Sequence, residues 1–178
     1  MAEGRKCVII VFRKLRGNGG RKSMHIRRAR PEDLCRMAEI FVYANRLNSF
    51  PIFGDEAYSF SQLQVSAVLA DFSGWIGEMG NAYVWDDGIV RGFVVSAGGE
   101  VYKLYVDSFF SGRGIGGALL EFAAAYTGAN RLWVLEKNRK ARAFYEKHGY
   151  LPTGEWTYEA GTPEKLLMLK RGEAGHGR

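Results

Sequence analysis

The sequence predicts one α/β (α+β) domain with a mixed, mostly antiparallel central sheet of about seven strands, flanked by about four helices. Two observations predict this class. Three strand-like segments within residues 82–107 are separated by the turn sequences Asp86-Asp87-Gly88 and Ala97-Gly98-Gly99, which is typical of an antiparallel meander. The strand–helix–strand passage from Glu100 to Leu135 instead predicts a parallel, right-handed crossover.

Hydrophobic spacing and turn residues predict the individual elements. Residues 25–30 form a short strand, and Pro31 suits the first turn of a helix that runs to about Asn45. A loop with Pro51 and Gly54 follows. The remaining predicted elements are, in order, helix 60–74, strands 82–85, 89–96 and 100–107, helix 115–126, strand 131–135, helix 140–148, and strands 153–158 and 166–170.

The net charge of +6 is located entirely in the first segment of the chain. Residues 1–23 hold seven Lys or Arg and one acid, whereas residues 24–178 hold 18 residues of each sign. We therefore predict a basic, flexible N-terminal extension over 1–23, a folded domain over 24–171 and a flexible tail over 172–178. Because the domain has no basic excess, no nucleic-acid partner is predicted.

Composition also argues against membrane and metal functions. The most apolar run, Cys7–Phe12, is far shorter than the roughly 20 residues that span a bilayer and is too short for a secretory signal. We expect a cytoplasmic protein with no membrane partner. Cys7 and Cys35 are far apart and histidines are scarce, so no metal site is predicted.

A glycine-rich segment precedes the helix predicted over 115–126. Gly112, Gly114, Gly116 and Gly117 fall within six positions. Glycine permits close backbone approach, and a helix start offers free N–H groups at the positive end of its dipole. The arrangement favours a pyrophosphate ligand, although glycine-rich helix starts also occur without ligands.

The same glycines also match the dinucleotide fingerprint Gly-x-Gly-x-x-Gly through Gly112, Gly114 and Gly117, with Glu136 near the place of a ribose-binding acid. Two observations oppose a nicotinamide- or flavin-binding fold. Five residues separate Val106 from Gly112, where that fold needs a tight turn. About 40 residues remain after Glu136, too few for the rest of a doubly wound sheet.

The glycine segment resembles the signature of the GNAT superfamily of N-acetyltransferases, Gln/Arg-x-x-Gly-x-Gly/Ala after a strand that ends in a Leu-Tyr-Val-like segment. Gly114 and Gly116 fill the glycine positions, and Ser111 stands where Gln or Arg is usual. A second block, residues 138–150, resembles the family motif Asn-x-x-Ala-x-x-Phe-Tyr-x-x-x-Gly-Phe/Tyr. The resemblance covers residues 24 to about 171.

This resemblance implies a GNAT-like fold and acetyl-CoA as co-substrate. The residues that it implies for binding acetyl-CoA are Leu104, Tyr105, Val106, Ser111, Gly112, Arg113, Gly114, Ile115, Gly116, Gly117, Asn138 and Ala141. Backbone N–H groups of the glycine segment would hold the phosphates, and the strand around Leu104 would pair with the pantetheine arm. The N–H of Val106 would donate to the acetyl oxygen.

Tyr145 is the predicted general acid. Helical periodicity alone favours a core aromatic, as for Phe144, but the resemblance places Tyr145 beside the coenzyme A sulfur. A phenol with a reference pKa near 10 is protonated at neutral pH and can donate to the leaving thiolate. Asn138 is similarly open to two roles, as a ligand of the coenzyme arm and as a helix N-cap.

Glu100 is the candidate base. It aligns with a glutamate that histone-type members use, usually through water, to take the proton of the amine. On a strand it shares a face with Tyr102, Leu104 and Val106. The alternative is a solvated carboxylate at the end of a strand, and many relatives have no dedicated base.

The predicted function is therefore transfer of acetyl from acetyl-CoA to a primary amine of a small molecule or protein, by direct attack. The alternative of another class is a catalytically silent acyl-CoA-binding regulatory module. The resemblance allows a homodimer, which the sequence does not specify. Candidates for the acceptor pocket are Tyr43, Asn45, Phe50, Phe53, Trp75, Trp156 and Tyr158.

Overall fold

The computed structural model describes residues 25–79 and 81–172, without the side chains of residues 73–79. The predicted extension over 1–23 lies outside the described residues, as does the tail after Gly172, so the domain boundaries stay predictions. The fold class is confirmed: one mostly antiparallel sheet of seven strands carries helices on both faces. No helix among the described residues is long and apolar enough to cross a membrane.

The sheet contains the predicted number of strands. They are β1 (Ile26–Arg28), β2 (Ala82–Asp86), β3 (Val90–Ala97), β4 (Glu100–Val106), β5 (Arg131–Leu135), β6 (Tyr150–Tyr158) and β7 (Lys165–Arg171). Their order across the sheet is β1-β2-β3-β4-β5-β7-β6. All neighbours are antiparallel except β4 and β5, which run parallel as the strand–helix–strand passage predicts.

The helices differ from the prediction mainly before β2. They are α1 (Leu34–Asn48), α2 (Phe50–Phe53), α3 (Val65–Met79), α4 (Ile115–Thr127) and α5 (Arg139–Lys147). The helix predicted over 60–74 begins later, because a π-helical segment occupies Ala57–Gln62. The guanidinium of Arg46 donates to the carbonyl oxygens of Ser59 at 2.9 Å and Leu63 at 3.0 Å. These contacts take up carbonyls that a continuous helix would use.

The two faces of the sheet carry separate hydrophobic clusters. The face covered by α4 and α5, here called the α4–α5 face, includes Val101, Leu104 and Leu132. The face covered by α1 and α3, here called the α1–α3 face, includes Phe93 and Tyr105. Successive residues of a strand alternate between these faces.

A β-bulge in β4 interrupts this alternation. The register between β3 and β4 shifts at Tyr102, which is the extra residue of the bulge. Val101 and Leu104, three positions apart, therefore both lie on the α4–α5 face. Glu100 precedes Val101 and so points to the α1–α3 face. The prediction that Glu100 shares a face with Leu104 and Val106 is wrong, because it assumed a regular strand.

The parallel pairing between β4 and β5 is short. Within the described chain it comprises two pairs, Glu100 with Arg131 and Val101 with Leu132. Beyond these pairs the two strands part toward their carboxyl ends. We call the opening between the carboxyl-terminal parts of β4 and β5 the β4–β5 gap.

Candidate active site

Two helices begin at the mouth of the β4–β5 gap. α4 follows β4 after a 3-10 turn (Ser108–Phe110) and the glycine loop, and α5 follows β5 after a short turn. Because β4 and β5 are parallel, their carboxyl ends lie at the same edge of the sheet, and so do the amino termini of both helices. The positive ends of the two helix dipoles therefore favour an anionic group at this edge.

The glycine loop has a backbone that few other residues adopt. Gly112 has a φ of 78° and Gly114 a φ of 80°, both in the left-handed region. Gly114 is the N-cap of α4, so Ile115, Gly116 and Gly117 form its first turn. The N–H groups of a first turn have no acceptor within the helix. The predicted phosphate donors thus lie together at the mouth of the gap.

Sequence reasoning missed the two residues that anchor this loop, Asp107 and Arg36. The Asp107 carboxylate accepts from the N–H of Phe109 at 2.9 Å and pairs with the guanidinium of Arg36. Arg36 also donates to the carbonyl oxygen of Val90 at 3.1 Å. Buried Ser111 donates to the carbonyl oxygen of Asp107 at 3.3 Å. An Asp side chain that accepts from the backbone N–H two residues later forms an Asx turn, and Asp is a common residue in turns for this reason.

Positive charge lies beside the glycine loop. The guanidinium of Arg113, a predicted site residue, is exposed and lies 5.1 Å from the ring centroid of Phe110. Arg91 approaches the same ring at 4.0 Å. Arg91 comes from β3, so no local motif could have associated it with the loop. Arg91 is also ion-paired with Asp87, which offsets its charge, so Arg113 is the cation that most strengthens the positive potential near the start of α4.

Gly117 has a packing role that the motif does not reveal. A Cβ at Gly117 would lie 2.6 Å from Cε1 and 2.9 Å from Nε2 of His148. The imidazole centroid is also 4.6 Å from that of Phe144, and Nδ1 is 3.6 Å from a carboxylate oxygen of Glu121. Burial lowers the pKa of His148, although Glu121 opposes the shift. The absent side chain at Gly117 lets α4 approach the end of α5.

Asn138 caps α5 and retains one uncommitted donor. Its Oδ1 accepts from the N–H of Ala141 at 3.0 Å, which fulfils the N-cap role. Its Nδ2 is buried and has no hydrogen-bond partner among the described residues. A buried donor without a partner costs about 1–3 kcal/mol. A ligand that supplies an acceptor here would remove that cost, so the residues at the mouth of the gap fit acetyl-CoA.

Ala141 and Tyr145 lie on the same face of α5 as Asn138, three and seven positions along the helix. Both are fully buried and belong to the cluster on the α4–α5 face that contains Leu104 and Val106. Tyr145 is therefore a core residue by packing, as periodicity predicts. Its side chain also packs in the same cluster as residues of β4, the strand that borders the gap.

Glu100 lies at the other end of β4. Val106 lies six positions further along the strand, which corresponds to about 20 Å. Its side chain is buried, and its carboxylate lies 3.5 Å from Nε of Arg131. The fold does not bring Glu100 close to the glycine loop, and it places Glu100 on the face opposite Tyr145.

The candidate acceptor residues do not form one cluster. Trp156 and Tyr158 are exposed on β6, with ring centroids 5.4 Å apart. Tyr43 stacks near Phe109 at 6.4 Å, beside the loop that follows β4. The side chain of Trp75 lies outside the described residues. The remaining candidates on α1 and α2 are Asn45, Phe50 and Phe53.

Residues 73–152 match the family model described as an acetyltransferase (GNAT) domain. The matched segment contains β4, the glycine loop, α4 and α5, which are the elements that meet at the gap. Over these residues the chain is similar to the GNAT acetyltransferase domain, a family whose members transfer acyl groups.

Solved structures with the GNAT fold resemble the chain over most of its length. Apo-form YjaB from Escherichia coli is 24% identical with a TM-score of 0.64, over 82% of this chain and 95% of that one. A GCN5-related N-acetyltransferase from Rhodopseudomonas palustris is 24% identical with a TM-score of 0.60, over 83% and 94%. A histone acetyltransferase HPA2 and related acetyltransferase from Corynebacterium glutamicum is 17% identical with a TM-score of 0.61, over 85% and 98%.

Proposed function

We propose that this GNAT domain transfers an acetyl group from acetyl-CoA to a primary amine of a small molecule or protein. The observation that carries the proposal is the mouth of the β4–β5 gap. Two helix amino termini, a left-handed glycine N-cap at Gly114 and the uncommitted buried amide of Asn138 meet there. A pyrophosphate suits the helix starts, and a polar coenzyme arm suits the amide.

The proposed binding roles follow the coenzyme from its phosphates toward its acetyl group. First-turn N–H groups of α4 hold the phosphates, with Arg113 beside them. The coenzyme arm runs along β4 at Leu104, Tyr105 and Val106, and the N–H of Val106 donates to the acetyl oxygen. Asn138 donates to the arm from the start of α5.

The proposed chemistry needs no covalent enzyme intermediate. The neutral amine nitrogen attacks the thioester carbonyl carbon, a C–N bond forms and the C–S bond breaks. Tyr145 gives its phenolic proton to the sulfur as thiolate leaves, and it recovers a proton from solvent. The amine loses one proton. Glu100 is proposed to accept it through a relay of several water molecules, because about 20 Å of strand separates Glu100 from Val106.

Thermal unfolding with acetyl-CoA, coenzyme A or NAD present tests the binding part. A ligand that binds only the folded state stabilises it by about 2.7 kcal/mol at one hundred times its dissociation constant. We expect the Tm to rise with both coenzymes and to stay unchanged with NAD. No rise at millimolar coenzyme A would contradict the proposal.

Turnover separates an enzyme from a silent acyl-CoA-binding module. Release of free thiol from acetyl-CoA is followed over a panel of primary amines. We expect at least one amine to accelerate release and Tyr145→Phe to slow it. A protein that is stabilised by acetyl-CoA but acetylates no amine in a broad panel would instead be a binding module.

A further inference from the structure

His148 lies directly against the first turn of α4. It is the C-cap residue of α5, and Cε1 of its imidazole is 2.6 Å from the position that a Cβ at Gly117 would occupy. Gly114 is the N-cap of α4, so the N–H of Gly117 is one of the first-turn donors assigned to the coenzyme phosphates. A titratable ring therefore contacts the backbone that forms the phosphate site.

This contact limits how far the ring lies from a bound phosphate. A Cβ is about 2.5 Å from the backbone nitrogen of its own residue, so Cε1 of His148 is at most about 5 Å from the nitrogen of Gly117. A phosphate oxygen that accepts from this N–H adds about 2.9 Å. The ring edge and that oxygen are thus no more than about 8 Å apart. At this distance a unit charge on the ring attracts an anion, most strongly at low ionic strength.

Charged groups on α4, α5 and β7 surround the His148 ring. A carboxylate oxygen of Glu121 lies 3.6 Å from Nδ1, and the guanidinium of Arg171 pairs with the same carboxylate at 2.7 Å. Burial lowers the pKa of His148, Glu121 raises it, and Lys147 and Arg171 lower it. The ring is therefore mostly uncharged at pH 7.5. A further anion close to the ring would favour its protonated form.

The His148 ring is held in place but reaches solvent. Its centroid is 4.6 Å from that of Phe144, and Gly117 lies on its other contact. Its side chain is 23% exposed, so a proton can exchange with solvent without opening of the domain. A change in the charge of His148 therefore occurs at a fixed distance from the first turn of α4.

We propose that His148 is a positioning residue of the phosphate site, and that coenzyme binding is coupled to uptake of a proton from solvent by its imidazole. The inference rests on the proposed function, because the anion that it requires is the coenzyme pyrophosphate. The ring packs against Gly117 and sets the approach of α4. Once protonated, it adds positive charge to that of the first-turn N–H groups. Because linkage is reciprocal, the coenzyme binds more tightly as the pH falls.

Calorimetric titration of the full chain with dephospho-CoA at low ionic strength tests this coupling apart from catalysis. Dephospho-CoA keeps the pyrophosphate and lacks the 3′-phosphate, a monoester whose own ionisation at about pH 6 would interfere. We expect Kd to fall about threefold or more from pH 7.5 to pH 5.5. Titrations in buffers with different ionisation enthalpies should show uptake of a fraction of a proton at pH 5.5.

Two variants assign the proton to its site. His148→Gln should bind dephospho-CoA with the same Kd at both pH values, because glutamine does not titrate. His25→Gln is the matched histidine control, since the His25 ring lies 5.2 Å from that of Trp85 on β2. This control should keep the pH dependence of the unsubstituted protein.

A Kd and a proton uptake that do not change with pH in the unsubstituted protein overturn the inference, whatever the stability of the variants. It is also overturned if His148→Gln keeps the pH dependence, or if acetyl-CoA binds and dephospho-CoA does not. Binding of dephospho-CoA with a constant Kd leaves the proposed cofactor site standing and removes only the role of His148. If neither coenzyme binds at either pH, the proposed function itself fails.

Discussion

The two faces of the sheet differ in how completely they are covered. On the α4–α5 face, α4 packs over β2, β3 and β4, and α5 packs toward β6. On the α1–α3 face, the main helix contacts are with β3 and β4, and the side of β5, β7 and β6 retains an open polar cleft. Tyr145 is buried on the α4–α5 face, the face that α4 and α5 cover. Glu100 and Arg131 lie on the less covered α1–α3 face.

The segments that meet at the mouth of the gap each follow a strand, so the residues of the proposed co-substrate site are close in sequence. The cleft on the open face instead combines residues of β5, β6 and β7. Variants of residues on the covered face test whether these residues act on acetyl-CoA or only on stability.

The largest expected effect is that of Tyr145→Phe. Loss of the phenolic proton donor should lower kcat by about 100-fold or more with little change in KM for acetyl-CoA. The matched control is Tyr150→Phe, since Tyr150 is also buried and its hydroxyl donates to the carbonyl oxygen of Ala129 at 3.1 Å. Burial raises the pKa of Tyr150 to about 12.

Steady-state kinetics and thermal unfolding of both variants distinguish chemistry from packing. Tyr150→Phe should lower the free energy of unfolding by about 1 kcal/mol and leave kcat nearly unchanged. Equal losses of kcat in the two variants would mean that Tyr145 is only a core aromatic.

Gly114→Ala should weaken the binding of acetyl-CoA at the start of α4. A left-handed φ costs a residue with a Cβ about 1–2 kcal/mol, and the loop must shift to relieve it. We expect KM for acetyl-CoA to rise at least tenfold. Gly161→Ala is the matched control, because Gly161 has a φ of 73° and open space around its Cβ position. It should lose comparable stability and keep its KM, as measured by thermal unfolding and thiol release.

Asn138→Asp separates the two functions of Asn138. Asp caps helices about as well as Asn, so the free energy of unfolding should change little. The variant lacks the Nδ2 donor and adds a negative charge, so KM for acetyl-CoA should rise several-fold to tenfold. An unchanged KM together with unchanged stability would leave Asn138 with the capping role alone.

The smallest expected effect is the pH dependence caused by His148. Because burial lowers its pKa below the ordinary value near 6.5, the unfolded chain binds a proton more readily than the folded chain. Stability should therefore fall as the pH drops below about 6.5. His148→Gln should reduce this slope in thermal unfolding measured from pH 7.5 to 5, and an identical slope in both proteins would assign it to other groups.

Much of the fold could be predicted because its signals are local. Hydrophobic spacing and glycine turns predict all seven strands, and the motif around Gly114 predicts where α4 starts. The bulge at Tyr102 could not be predicted, because it depends on the register with β3 and not on the residue itself. That single residue reverses the face of Glu100, which is why the predicted arrangement of the base was wrong.

The unpredicted parts of the candidate site depend on distant partners. Arg36 pairs with Asp107, which lies 71 positions away in the sequence. The His148 ring occupies the space that a side chain at Gly117 would need. On the other face, Arg131 and Lys170 lie opposite each other only because β5 and β7 pair in the folded sheet. No local pattern contains such contacts.

Acetyl-CoA is proposed to bind at the mouth of the β4–β5 gap. Titration of the ¹⁵N-labelled chain with acetyl-CoA would locate the binding site at the level of single residues. We predict saturable shifts of the amide signals of residues 112–117 and of the side-chain amide of Asn138, with smaller changes near Arg131 and Lys170. Shifts confined to other parts of the chain, or no shifts at millimolar acetyl-CoA, would contradict binding at the gap.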